Sequence, residues 1–495
     1  MKAFLMYRDR DFDLQQEFPP NEQALTQDLE LSTLFNAMAL GDKVLLEVAK
    51  KAVLCGLHDL NTILYRQDIL RDCLNNSSIV RDIYDIAVQS IEKERKNFWG
   101  ILRDYPDATL RRSIEVLQMF VGMLKELRSI ADEHAEAFQS EGFTVFFAML
   151  KKELGDEYFA SVQDHLKQLK FRGGVLISSE IGKGNKGINY TLCKASRKET
   201  WIERILGDGP RSYSFHLHPR DESGARALSQ LNDRGLNLVA NALAQSTDHI
   251  LSFFSMLRTE LAFYVGCLNL HETLDRKGGS MCFPVPAPSE ERRHSFCGLY
   301  DPCLALTVDQ KVVSNDVNAD SKDFAIITGA NQGGKSTFLR GIGVSQLMMQ
   351  CGMFVPAESF SANVCDALFT HYKREEDTTM KSGKFDEELS RMSEIADIIT
   401  PNSIMLFSES FAATNDREGS EIARQIVCAL LENRIKIFFV THLYEFAHDF
   451  YDKNMENAIF LRAERQSDGG RTFKLIEGEP LQTSYGEDLY NKIFV

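Results

Sequence analysis

The sequence predicts a multidomain protein: an α-helical first part, a small β element inserted into it, and a following α/β domain built on a P-loop. Three observations lead there. Apolar residues recur at helical spacing through residues 23–290. A basic, glycine-rich segment within residues 165–200 interrupts that pattern. From residue 291 onward, short apolar runs alternate with helical stretches, as in α/β domains. The predicted division is an N-terminal segment at 1–22, a helical core and lever domain at 23–290, and the α/β P-loop domain at 291–495.

A chain of 495 residues is too long for one hydrophobic core. With 44% hydrophobic and 26% charged residues it has the balance of an ordinary globular protein. The net charge of −15 excludes a uniformly basic nucleic-acid coat and leaves room only for local basic patches. The opening "MKAFLMYRDRDFDL" lacks the apolar centre of a signal peptide, and no uninterrupted apolar run approaches transmembrane length. Ten scattered cysteines point to reduced thiols. The expectation is a soluble, cytoplasmic protein with no membrane partner.

The helical part is carried by stripes. In "RRSIEVLQMFVGMLKELRSI", Ile114, Leu117, Phe120, Val121, Leu124 and Leu127 fall on one helix face. Similar patterns cover 24–55, 78–100, 140–170 and about 224–275, the last long enough for a lever or strut. Each stripe predicts core packing.

The inserted element is "FRGGVLISSEIGKGNKGINYTLCKASRK". Two β-branched runs flank "GKGNKG", where glycine and asparagine supply the positive φ of a hairpin turn. The segment is basic against the trend of the chain. Arg172, Lys183, Lys186 and Lys194, with Lys167, Lys170, Arg197 and Lys198, are opposed only by Glu180. That clustering makes the hairpin the candidate for contact with a phosphate backbone. "RKGGSMCFPVPAPSEERR" then marks a domain boundary by its glycine, proline and charge.

The strongest motif is "DFAIITGANQGGKSTFLRGIGVSQLMM". An apolar strand, a loop of Gly329, Ala330, Asn331, Gln332, Gly333 and Gly334, and a helix opened by Lys335, Ser336 and Thr337 form G-x-x-x-x-G-K-[ST] in the order its mechanism needs. Glycines let backbone N–H groups wrap phosphates at a helix N-terminus. The motif predicts ATP as ligand, with Lys335 on the β and γ phosphates and the Ser336 hydroxyl on Mg²⁺. Downstream, "IKIFFVTHLYEF" predicts a buried strand that delivers His442 to the ligand side of the sheet.

Taken together, these residues resemble the MutS family of mismatch-repair ATPases. The resemblance rests on "VSNDV", "TGANQGGKSTFLR", "CGMFVPAE", "CDALFTHYKREED", "THLYEF" and "SYGEDLYNKI", which occur in family order. It is strong over about 300–490 and weaker before. It implies an ABC-type ATPase domain that works as a dimer, composite sites between subunits, and DNA held between clamps and levers. By position it assigns Lys335 and Ser336 to phosphate and Mg²⁺, Glu409 to the attacking water, and His442 to the γ-phosphate. It sets Thr414 to Asp416 where the family crosses to its partner subunit.

Departures from the family pattern shape the expectation. Only about 20 residues precede the helical region, too few for the family's mismatch-reading domain, so readout of DNA by shape or backbone is expected instead. The partner-facing Ser-Thr-Phe reads Gly383-Lys384-Phe385, with Ser382 or Lys384 as substitutes. Ser408 stands where an aspartate would hold the Mg²⁺ shell. Serine drops the charge but keeps hydrogen bonding, so it is expected to reach the metal only through the P-loop hydroxyl or water and to weaken Mg²⁺ without abolishing it.

The resulting expectation is a slow ATPase in DNA repair or recombination. It binds duplex or branched DNA as a homodimeric clamp and uses ATP with Mg²⁺ as a conformational switch. The alternative is a nucleotide-gated protein scaffold with no DNA contact.

Overall fold

The computed structural model describes residues 1–96, 106–171, 175–193, 214–218, 220–374, 383–466 and 469–481. The chain is a multidomain mixture of helices and α/β structure, and its contacts divide into two compact units. One comprises Met1–Ala3, Arg81–Ala137 and Thr144–Arg258; the other comprises Phe4–Val80, Phe138–Phe143 and Thr259–Val495.

The larger unit begins with α1 (Glu22–Asp28), α2 (Leu31–Ala39), α3 (Lys43–Leu54) and α4 (Leu60–Asn75). Asp42 and Asp59 cap α3 and α4 by accepting from the backbone N–H groups of the first turn. These helices group with the α/β sheet and not with the later helices, because their side chains are buried against it. Arg66 on α4, 1% exposed, donates to the carbonyls of Met6 and Cys351. Leu57 and Ile63 share a core cluster with Val364. The first residues are also embedded: Leu5, Met6 and Phe12 are buried, and Glu260 accepts from the N–H groups of Leu5 and Phe12.

In the smaller unit, α5 (Ser77–Lys96), α6 (Pro106–His134), α7 (Glu141–Glu153) and α8 (Asp156–Gln168) precede a hairpin of β1 (Ile177–Ile181) and β2 (Gly187–Leu192). The predicted stripe of α6 is buried from Ile114 to Leu127. At the turn Gly184 and Asn185 have φ of 71° and 57°, which is why glycine and asparagine stand there. Helix α9 (Glu222–Arg276) carries 55 residues, of which Glu222–Arg258 belong to this unit and Thr259–Arg276 to the larger one. By length and composition it could cross a membrane, but 72% of its most apolar window is buried inside the protein. Leu236 and Ala240 of α9 pack with Leu110, Ile114 and Leu117 of α6 and Leu166 of α8.

The remaining elements belong to the larger unit. They are β3 (Val285–Ala287), β4 (His294–Leu299), α10 (Pro302–Thr307), β5 (Asn315–Asn318), β6 (Phe324–Gly329), α11 (Lys335–Gln350), β7 (Ser359–Asn363) and β8 (Leu368–Tyr372). After these come α12 (Lys384–Ile398), β9 (Ile404–Ser408), α13 (Asp416–Glu432), β10 (Lys436–Val440), α14 (Tyr444–Asp452), β11 (Ala458–Arg465) and β12 (Arg471–Glu477). A six-stranded sheet has the order β12-β11-β6-β10-β9-β8, parallel except for β12; a second sheet has the order β3-β7-β4-β5. Strands β6, β9 and β10 are buried throughout, so their sequences are continuous apolar runs and not alternating ones. Phe324, Ile326, Met405, Phe407, Ile437 and Phe439 pack with Ala423, Val427 and Leu430 of α13 and with Phe446 and Phe450 of α14. This sheet aligns the C-terminal ends of β6, β9 and β10, where the candidate site lies.

Candidate functional site

The site starts at the end of β6. Gly329 has φ of +112°, and a Cβ there would come within 2.8 Å of the Ala463 backbone nitrogen on β11. A Cβ on Gly333 would meet Ala463 Cβ at 2.7 Å and the Ala330 carbonyl at 2.9 Å. The adjoining strand thus dictates glycine at both positions. Helix α11 follows directly from Gly334, with no side chain among the described residues capping its first turn. Its opening N–H groups and helix dipole therefore suit an anion.

Lys335 is 5% exposed and donates to the carbonyls of Gly329 and Ala330, both at 3.0 Å. Burial pulls its ammonium down to about 8; Arg471 pushes the same way and Glu409 opposes. The Ser336 and Ser408 hydroxyls lie 3.2 Å apart, one at the start of α11 and the other at the end of β9.

Glu409 follows Ser408. Its N–H bonds the Val440 carbonyl at 2.9 Å, and His442 Nε2 donates to its carboxylate at 3.0 Å. That hydrogen bond holds the carboxyl below its usual range against the opposing effect of burial; the positive charges of Lys335 and Lys373 add to the lowering. The backbone here is unusual, with φ of +55° at Glu409 and +64° at Phe411. Such values cost a non-glycine residue about 1–2 kcal/mol.

Phe411 offsets the cost by packing. It is fully buried in the sheet core, and its ring stacks on His371 with centroids 5.3 Å apart. Its N–H donates to the Glu388 carboxylate of α12 at 3.0 Å. His371 bonds the Ser410 hydroxyl through Nδ1 at 2.7 Å and the Glu388 carbonyl through Nε2 at 3.0 Å. Burial drives the imidazole down to about 4, so it is neutral and Nε2 carries the proton toward the carbonyl. This buried network links the Glu409 loop to β8 and α12. Sequence reading missed it because its members lie 17 to 39 residues apart.

Beside the loop is a cavity of about 400 Å³, lined by Gln332, Gly334, Thr337 and Phe338 on one side and Val312, Val313, Asn315 and Phe473 on the other. Asn315 fixes its far wall, donating to the Phe473 carbonyl at 3.3 Å and accepting from Leu475 N–H at 2.7 Å. Phe473 was also missed in the sequence, since nothing local marks a strand residue 138 positions after Lys335 as part of the loop's surroundings. The sequence signal for that far wall was the "VSNDV" run, which supplies Val313 and Asn315.

Comparison with known families decides the identity. Residues 58–277 match the MutS2 N-terminal domain, and residues 325–493 match MutS domain V. The chain belongs to the MutS family. DNA mismatch repair protein MutS of Methanosarcina mazei is 24% identical over 387 residues, covering 76% of this chain and 40% of that protein. MutS of Leptospira interrogans is 34% identical over 233 residues, 46% of this chain and 27% of that protein. Human MutS protein homolog 4 is 30% identical over 189 residues, 37% and 20% respectively. The chain thus spans less than half the length of these relatives.

The other sequence-predicted residues of this MutS-family chain can now be located. Lys183 and Lys186 are exposed at the tip of the β1–β2 hairpin, while Arg172 and Lys194 lie outside the described residues. Ser382 and the "SYGEDLYNKI" run also lie outside them. Gly383 is the N-cap of α12, Lys384 opens that helix, and Phe385 packs against the sheet core. Asn415 caps α13 by accepting from Glu418 N–H at 3.0 Å, and Thr414 donates to the Glu418 carboxylate at 2.9 Å.

The MutS family implies a divalent metal with the nucleotide, and the donor set here bears on that. Ser336 and Ser408 offer two neutral hydroxyls, and the adjacent carboxylate of Glu409 is engaged by His442. Mg²⁺ is usually held through one or two carboxylates together with substrate phosphates. The set does not fit an ion held by the protein's own charge.

Proposed function

We propose that the chain is an ATP-binding, slowly hydrolysing switch that acts on DNA as part of a dimer. The observation that carries this reading is the convergence of four groups at the ends of three adjacent strands. Lys335 and Ser336 open α11, and the Glu409–His442 pair faces them from β9 and β10. In the bound state Lys335 exchanges the two loop carbonyls for phosphate oxygens, and the open N–H groups of α11 join it. The adenine ring enters the cavity against Phe473, where an aromatic face and apolar side chains suit a flat base.

Glu409 is the base that orients the attacking water, and His442 fixes the carboxylate at the strand ends. A carboxylate held below its usual range is a weaker base, and a neutral hydroxyl at 408 recruits metal poorly. Both favour slow turnover, so bound nucleotide persists long enough to set a conformation. DNA contact rests on Lys183 and Lys186 at the hairpin tip, with Arg172 and Lys194 expected beside them by sequence. The relatives' mismatch-repair role makes repair or recombination the setting.

The test is steady-state ATP hydrolysis with and without duplex and branched DNA, in wild type and Glu409→Gln. Turnover that depends on Glu409 and responds to DNA supports the reading. Glu409-dependent turnover indifferent to every DNA, with no DNA binding, moves the assignment to a nucleotide-gated protein scaffold.

A further inference from the structure

The charge around the loop carries a second conclusion, which rests on nucleotide binding at Lys335. Two cations lie on the loop and a third follows β8 beside Ser408. Lys335 lies within the loop. Arg471 is tied to it by donating from Nε to the Asn331 carbonyl at 3.2 Å, with its Nη1 on the Gly469 carbonyl at 2.9 Å. Lys373 follows β8, its backbone N–H donating to the Ser408 carbonyl at the end of β9 at 2.9 Å. These groups are close enough to feel one another: Lys335 and Lys373 both draw on the Glu409 carboxylate, and Arg471 bears on Lys335. Against them stands the Glu409 carboxylate, already bonded to His442.

An aspartate at 408 would add a negative charge beside the Ser336 hydroxyl, where phosphates must approach. A divalent cation would then be needed to screen the carboxylates from the triphosphate. Ser408 removes that charge and keeps the hydrogen bond to Ser336. We propose that this site takes the triphosphate group of ATP without a divalent cation, with Lys335, Arg471 and Lys373 meeting the negative charge a metal would otherwise neutralise. Nucleotide occupancy is then independent of magnesium, and the switch loads at any magnesium level.

The experiment is calorimetric titration of the full chain with a non-hydrolysable ATP analogue, in buffer with magnesium and in EDTA. Wild-type affinity is expected to differ by less than about threefold between the two buffers, since the charge-assisted contacts persist in both. Ser408→Asp is expected to weaken binding in EDTA by about tenfold, with magnesium restoring it. Arg471→Gln should weaken EDTA binding by about tenfold and Arg471→Lys should retain it, because charge is what matters. Arg471 is only partly buried, so these variants carry the test if the buried aspartate unfolds the protein. A wild-type loss of about a hundredfold in EDTA overturns the proposal, as does an Arg471→Gln variant that binds like wild type in EDTA. Absence of binding in both buffers overturns the nucleotide reading itself, and this inference with it.

Discussion

His442 Nε2 donates to the Glu409 carboxylate at 3.0 Å, joining residues 33 positions apart across the ends of two neighbouring parallel strands. The register that pairs Val440 with Ser408 sets this distance, so the pair is a consequence of the sheet and not of a loop. Because the hydrogen bond lowers the Glu409 pKa, the carboxylate stays ionised to more acidic pH than an isolated glutamate. Turnover should therefore keep its activity down to low pH and fall as pH drops through the lowered pKa. His442→Ala removes that support, and the acid limb of the pH–rate profile should move to higher pH. An unmoved limb would mean that Glu409 does not act as the base.

Glu409→Gln should reduce hydrolysis by about 100-fold or more, in the range expected for loss of a general base. Affinity for nucleotide should stay within about threefold, because the carboxylate is not among the phosphate contacts. Single-turnover kinetics alongside equilibrium binding separates the two effects.

Lys335 gives a second pH signature. Its pKa in the free protein, pulled down to about 8 by burial, lies below that of an ordinary lysine. Phosphate binding favours the charged ammonium and raises that pKa, so nucleotide binding takes up a proton near and above pH 8 and none at pH 6. Calorimetry in buffers of different ionisation enthalpy reads the uptake directly, and affinity should weaken as pH rises through 8.

Phe411 joins the Glu409 loop to the core, being fully buried despite its left-handed backbone. Phe411→Ala should destabilise the protein by about 3–5 kcal/mol, the usual cost of truncating a buried aromatic. Denaturant unfolding of the sheet-containing unit checks this.

Neutralising Lys183 and Lys186 should weaken DNA binding nearly equally for all sequences. It should also reduce the salt-dependence slope by about 2, one per lost phosphate contact. Binding isotherms at several salt concentrations test it; an unchanged slope assigns the DNA contact elsewhere.

What could be seen in the sequence was local. The strand, glycine loop and helix from Phe324 to Gln350 announce themselves by composition, and the turn at Gly184 and Asn185 by its residue types. The stripe of α6 is likewise periodic within one element. Features built by distant residues were not visible. Glu260 receives the N–H of Leu5 across 255 positions, so residues 1–22, which gave no strong pattern, proved to hold buried core positions. The four-stranded sheet draws β3, β4, β5 and β7 from separate stretches in a non-sequential order. Phe473 reaches the candidate base cavity only through the antiparallel return of β12. Such contacts depend on topology, which spacing and composition do not encode.

If ATP sits on the Gly329–Thr337 loop, equilibrium binding of a non-hydrolysable ATP analogue must differ between wild type and Lys335→Ala. Wild type should bind saturably and the variant should lose about 100-fold in affinity, the scale expected when a buried charge-assisted phosphate contact is removed. Equal affinity in the two proteins, with both folded, would contradict it.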